Sequence, residues 1–189
     1  MTIATGAFCI PQSDCDFPIA SYQHGTVAAK TSVPSHFSAE LNVGILLATT
    51  GYHLCLPDYI GLGDSPGLHP YVHSKSEATA SVDMIKASKT YAEQEGHAFN
   101  EQLLILGYSQ GGHATMALHK EIEENDTGLT LTASFPLSGP YDVSGVQTDV
   151  IVGNQPYPTP GYLPYILFAY NSVYGNLFNE PSEVFVPTL

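Results

Sequence analysis

Basic residues are scarce in this sequence: Lys and Arg number 5 against 18 Asp and Glu, a formal net charge of −13. A surface of that sign repels phosphate backbones and anionic headgroups, which argues against nucleic acid as a partner. Charged residues of both signs reach only 12% and tryptophan is absent, while 12 Tyr, 14 Pro and 17 Gly shift packing onto tyrosine and turns. No apolar run reaches about 18 residues, so no transmembrane segment is expected. The opening MTIATGAFCIPQ lacks the basic start and apolar core of a signal peptide. The expectation is therefore either a cytosolic protein or one whose true N-terminus lies upstream. The cysteine count is 3, so at least one thiol stays free. Cys9 and Cys15 lie near enough to close a small loop, and Cys55, in an apolar run, reads as buried. The sequon Asn125-Asp126-Thr127 is too common a pattern to indicate secretion.

What is present fits one core in 189 residues, without repeats or low-complexity tracts. Residues 3–10 and 18–23 read as short strands separated by the turn-rich PQSDCD. Residues 38–50 place Leu41, Ile45 and Leu46 at helical spacing, with Gly51 as a stop. YHLCLP then reads as a strand and DYIGLGDSPG as a loop. Ser74 and Glu77 have the spacing of a capping box that opens a helix over 74–95, with Ala78, Val82, Ile85 and Ala92 as its apolar stripe. QLLILGYS is a strand apolar on both faces, GGHATMALHKEIEEN a helix, and LTLTASFPL another strand. Alternation of this kind predicts an α/β fold: a mainly parallel sheet with helices on both faces. After Gly139 the period is lost. Residues 1–139 are therefore expected to form the core and 140–189 a separate Tyr- and Pro-rich excursion.

Gly107-Tyr108-Ser109-Gln110-Gly111 fits G-x-S-x-G in the context that pattern needs, a buried strand before it and a helix after it. Such a sharp turn strains the serine backbone and leaves no room for a Cβ two residues to either side. Ser109 is thus the candidate nucleophile. The Gln110 N–H, at the positive end of the following helix, is the expected oxyanion donor. A second donor is expected from the loop after an earlier strand, and SYQHGT offers Thr26, with Gly25 allowing close approach of substrate. His24 and Tyr108 flank these positions and complete the candidate substrate-binding set. His24 reads as a hydrogen-bonding strut and not a base, since the base of this constellation follows the nucleophile in sequence.

LPDYIGLGDSPGLHPYVHSKSEATASVDMI, GYSQGGHATMALHKEIE and FPLSGPYD resemble the α/β-hydrolase superfamily, in particular the secretory lipase and esterase branch with Candida lipase A-like fungal enzymes and bacterial relatives. The resemblance covers most of residues 4–142. It implies a serine hydrolase of carboxylic esters working through an acyl-enzyme, without cofactor, on a small-molecule ester or lipid, in a secreted protein of lipid catabolism. It also offers Asp58 of LPDYIG as an alternative to Thr26 for the second oxyanion donor. The triad acid and histidine that the resemblance implies have no match after Ser109, where the only histidines are His113 and His119, both on the next helix. The sequence is therefore expected to be a hydrolase core incomplete at both ends plus the start of a cap, weakly active or inactive in isolation. Asp142, at the expected end of a strand, has no histidine to orient. The rival expectation is a non-catalytic protein of the same fold that binds a small hydrophobic ligand.

Two other patterns are set aside. His69 and His73 have helical metal-pair spacing, but Pro70 puts them in a loop, so no metal is expected. Gly61-Leu62-Gly63 follows a strand as a dinucleotide fingerprint would, yet Pro66 occupies the third glycine position and no helix opens there.

Overall fold

The computed structural model describes residues 2–13 and 15–186. Five strands, β1 (Gly6–Cys9), β2 (Phe17–Gln23), β3 (His53–Pro57), β4 (Phe99–Tyr108) and β5 (Ala133–Leu137), form one sheet in the order β1-β3-β2-β4-β5. All neighbours pair in parallel except β1, which runs antiparallel to β3 along one edge. The helices are α1 (Ala39–Ala48), α2 (Ser74–Gln94), α3 (Gln110–Glu124), α4 (Thr148–Ile151) and α5 (Tyr162–Tyr174).

Alternation along each strand divides the core in two. Ile19, Cys55, Leu103 and Ile105 point to the face covered by Val82 and Ile85 of α2 and Leu118 and Ile122 of α3. Ala20, Leu54 and Leu56 point the other way, with Leu47 of α1 packed against them. Helices on both faces of a mostly parallel sheet are the expected α/β architecture. On the α1 side the cover is partial: Phe135 and Leu137 of the edge strand β5 are 48% and 53% exposed.

Two local expectations need correction. Helix α1 buries Leu41, Gly44 and Ala48 and leaves Ile45 and Leu46 exposed. The reason is Gly44, where a Cβ would sit 2.8 Å from Leu56; its absence lets this face, and not the bulkier one, approach the sheet. The capping box at Ser74 and Glu77 does not form: His73 is the N-cap and its ring accepts from Ser76 N–H, because the Glu77 carboxylate is fully buried on the α3 side. Cys9 and Cys15 are free thiols, as is the buried Cys55.

Beyond residue 139 the chain has more order than its pattern suggests. Asp142 does not end a strand; its carboxylate accepts from Gly145 and Val146 N–H and caps the helical turn Val143–Gln147. Helix α5 carries Pro164 in its first turn, where the missing N–H costs no intrahelical hydrogen bond, and ends at Gly175 in the left-handed region. Aromatic residues on most sides of α5 hid its period. The Tyr165 hydroxyl donates to the Val27 carbonyl (3.1 Å) and Tyr170 to Val72 (3.0 Å), tying α5 to the loops that leave β2 and β3.

Candidate active site

Strand β4 runs into α3 through a single residue. Ser109 has φ 59° and ψ −122°, a conformation costing a non-glycine residue about 1–3 kcal/mol, and its N–H donates to the Leu137 carbonyl of β5 at 3.0 Å. Backbone crowds the turn from both sides. A Cβ at Gly107 would strike the Gly111 carbonyl, and one at Gly111 would strike the Gln23 carbonyl of β2. The two outer positions of the motif are therefore held by steric exclusion.

Among the described residues the Gln110 N–H has no acceptor, as expected in the first turn of the 15-residue α3, directly after Ser109 in the chain. The two alternatives for a second donor are placed differently. The register pairs Gln23 with Gly107, so the Gly25–Thr26 loop leaves the strand adjacent to β4 at the level of Ser109. The Thr26 N–H also has no acceptor among the described residues, and its hydroxyl lies 2.9 Å from the Tyr71 hydroxyl. Asp58 follows β3, one strand further away; its N–H donates to the Thr5 carbonyl (2.9 Å), and its carboxylate accepts from Thr5 Oγ1 and the Ser35 N–H.

A cavity of about 210 Å³ opens at Ser109, walled by Tyr71, Val72 and Ser138 on the core side and by Gln147, Tyr162 and Ile166 from beyond residue 139. Burial pushes the Tyr71 and Tyr165 hydroxyls up to about 12, and these two rings stack 4.3 Å apart, so both remain neutral donors. The other candidate substrate-binding residues stand outside this cavity. His24 is fully buried, with Nδ1 2.7 Å from the Gly25 carbonyl and Nε2 3.2 Å from that of Asp58, and so braces the loop; Tyr108 is 60% exposed. No histidine and no carboxylate lines the cavity among the described residues. No group of three or more metal-ligating side chains occurs among them either.

Sequence reasoning missed what lies behind the turn. The fully buried Gln110 amide donates from Nε2 to Glu77 Oε1 (2.8 Å) and to His69 Nε2 (2.7 Å). The second bond makes His69 Nε2 an acceptor, so its Nδ1–H donates to the Ile60 carbonyl at 2.8 Å and the ring is neutral. The other Glu77 oxygen lies 2.7 Å from His113 Nδ1, whose Nε2 is 3.3 Å from Ser74 Oγ. A signal was available: Glu77 heads the series Glu77, Ser81, Ile85, all buried and spaced by one helical turn.

Burial lowers the His69 pKa below its ordinary value of about 6.5, and burial also lowers that of His73. As pH falls through about 6.5 the unfolded chain takes up these protons before the folded one does, so stability declines from there towards the lowered folded values. The melting temperature of His69→Gln is therefore expected to fall less steeply than that of the parent between about pH 7 and pH 5. Parallel thermal melts check this, the difference in slope separating His69 from the background of the −13 net charge.

A strand, a strained serine flanked by obligatory glycines and a helix, set at the carboxyl edge of a mostly parallel sheet, define an α/β hydrolase. Residues 33–149 match the family Hydrolase_4, serine aminopeptidase S33, and the chain belongs to it. Among solved structures it is similar to the rice cell wall degrading esterase LipA of Xanthomonas oryzae (31% identity, TM-score 0.86, 97% of this chain and 51% of LipA). A ligand-bound form of LipA matches at 31% identity and TM-score 0.85, over 97% of this chain and 50% of that one. Candida antarctica lipase A shares the fold at 21% identity and TM-score 0.70, over 92% of this chain and 41% of the lipase. The chain thus spans about half the length of its LipA relatives. No curated protein matches it.

Proposed function

We propose that this chain carries the nucleophile-bearing half of a serine hydrolase of carboxylic esters. Ser109 attacks the ester carbonyl, the Gln110 and Thr26 N–H groups stabilise the tetrahedral oxyanion, and collapse expels the alcohol and leaves an acyl-Ser109 that water hydrolyses. The observation that carries this reading is the strained Ser109 backbone, enforced by glycines that admit no Cβ and facing a cavity. Thr26 is preferred to Asp58 because its loop leaves the neighbouring strand and its N–H is free among the described residues, whereas the Asp58 N–H is engaged. In this reading the base and its orienting acid come from residues outside these 189, and the chain alone retains only what oxyanion stabilisation and binding supply, about 10³–10⁴ over water in dismantled triads.

The family bears the name of an aminopeptidase, while the similar solved structures are an esterase and a lipase. An aminopeptidase holds the cationic α-amino group of its substrate, most simply with a carboxylate, and none lines the Ser109 cavity among the described residues. The aromatic and aliphatic wall favours the acyl group of a neutral ester. The segment beyond residue 139 then acts as a cap that shapes the acyl site and excludes water. Ile166→Ala in the full protein is expected to move the preferred acyl length of p-nitrophenyl esters upward by at least two carbons. An unchanged profile would discard the cap as the acyl-selecting element.

A further inference from the structure

The Gln110 side chain faces away from the cavity, into a buried polar cluster that the proposed chemistry does not use. We infer that Glu77 is a positioning residue for the oxyanion site: it fixes Gln110, and with it the backbone N–H that receives the oxyanion. The inference rests on the serine-hydrolase reading above and adds a residue to it.

The geometry allows one arrangement. Both amide hydrogens of Gln110 are committed, one to Glu77 Oε1 at 2.8 Å and one to His69 Nε2 at 2.7 Å. Rotating the amide by half a turn would set its oxygen against the Glu77 carboxylate and the His69 acceptor, so electrostatics forbids it. Both anchors are themselves held, His69 by the Ile60 carbonyl and Glu77 by His113 Nδ1. Residue 110 is thus clamped between the loop after β3 and helix α2, while Ser109 on its other side is held by β5. The anchors are fully or nearly fully buried, Glu77 and Gln110 at 0% exposure and His69 at 2%, so water cannot replace a lost partner. The Gln110 Oε1 has no partner, and its buried orphan oxygen means that the two donor bonds alone orient this side chain.

A packing residue would change stability and leave the chemical step alone. A residue that holds an oxyanion donor changes transition-state binding more than substrate binding. In the full protein, Glu77→Gln removes one acceptor by setting an amide NH₂ against either the Gln110 NH₂ or the His113 N–H. Loss of a whole oxyanion donor costs about 10²–10³ in kcat, and its displacement is expected to cost about 10- to 100-fold, with KM within about twofold. Affinity for an alkylboronic acid, whose tetrahedral adduct uses the same donors, is expected to fall by a similar factor. Gln110→Met keeps the bulk, removes the donors and is expected to act in the same direction, which keeps the test decisive if Glu77→Gln does not fold. Ile85→Val, in the core of α2, is expected to lower the melting temperature with kcat unchanged. Loss of turnover in proportion to melting temperature across all three variants would overturn the inference, as would unchanged kcat and boronate affinity in Glu77→Gln and Gln110→Met. If Ser109→Ala leaves turnover intact, the serine-hydrolase reading itself fails.

Discussion

Ser109→Ala in the full protein is expected to lower kcat for a simple ester by at least about 10⁴-fold, the scale seen when a triad nucleophile is removed. Ser109→Gly is expected to be equally inactive and also more stable than the parent. The reason is the backbone: φ 59° and ψ −122° is strained for any residue with a Cβ and nearly free for glycine. Relief of that strain should recover about 1–2 kcal/mol, seen as a raised midpoint in denaturant at constant slope. A serine kept at this angle for packing alone would give no such pairing of lost activity with gained stability. The two substitutions together separate a functional strain from an incidental one.

Gly111→Ala is the second large effect. Its new Cβ would overlap the carbonyl of Gln23, and neither partner can yield: one opens α3, the other ends a central strand paired along its length with β4. Overpacking of side chains costs about 1–3 kcal/mol, and a backbone-on-backbone clash at the sheet centre is expected to exceed about 3 kcal/mol, so the variant should be recovered largely unfolded. Gly161→Ala is the contrast. It has open space within 4 Å and stands at the start of α5 with φ −63°, so alanine is expected to be neutral or slightly stabilising. Circular dichroism and thermal melts of the two variants check the pair.

Much of the fold was legible in the sequence, for physical reasons that differ by element. Strand β4 and the glycines around Ser109 announced themselves, because a buried parallel strand must be apolar on both faces and the turn after it tolerates no side chain at 107 or 111. Helix α1 was found but its face was misjudged: periodicity weighs Ile45 and Leu46 above Gly44, whereas the sheet selects the face that can come closest. Helix α5 escaped because its aromatic residues blur the 3.6-residue period, and what fixes its place is a pair of tyrosine hydroxyls reaching distant carbonyls.

The candidate site was legible where its pattern is local and hidden where it is not. Ser109, Gln110 and the alternatives Thr26 and Asp58 were candidates because they stand at strand ends and a helix start. Glu77 looked like a cap because its spacing from Ser74 satisfies a short-range pattern, and only the packing of α2 on α3 shows its carboxylate directed at Gln110 and His113. His24 read as a hydrogen-bonding strut, and its ring lies within hydrogen-bonding distance of carbonyls 25 and 58. Long-range polar networks leave little periodic trace, so their members are read as caps, loops or surface.

The atom that becomes acylated can be identified directly. The full protein, treated with a fluorophosphonate and digested, is predicted to carry one adduct on the peptide containing Ser109, formed in step with loss of ester turnover. Complete loss of turnover with Ser109 unmodified, or full turnover with Ser109 modified, would contradict it.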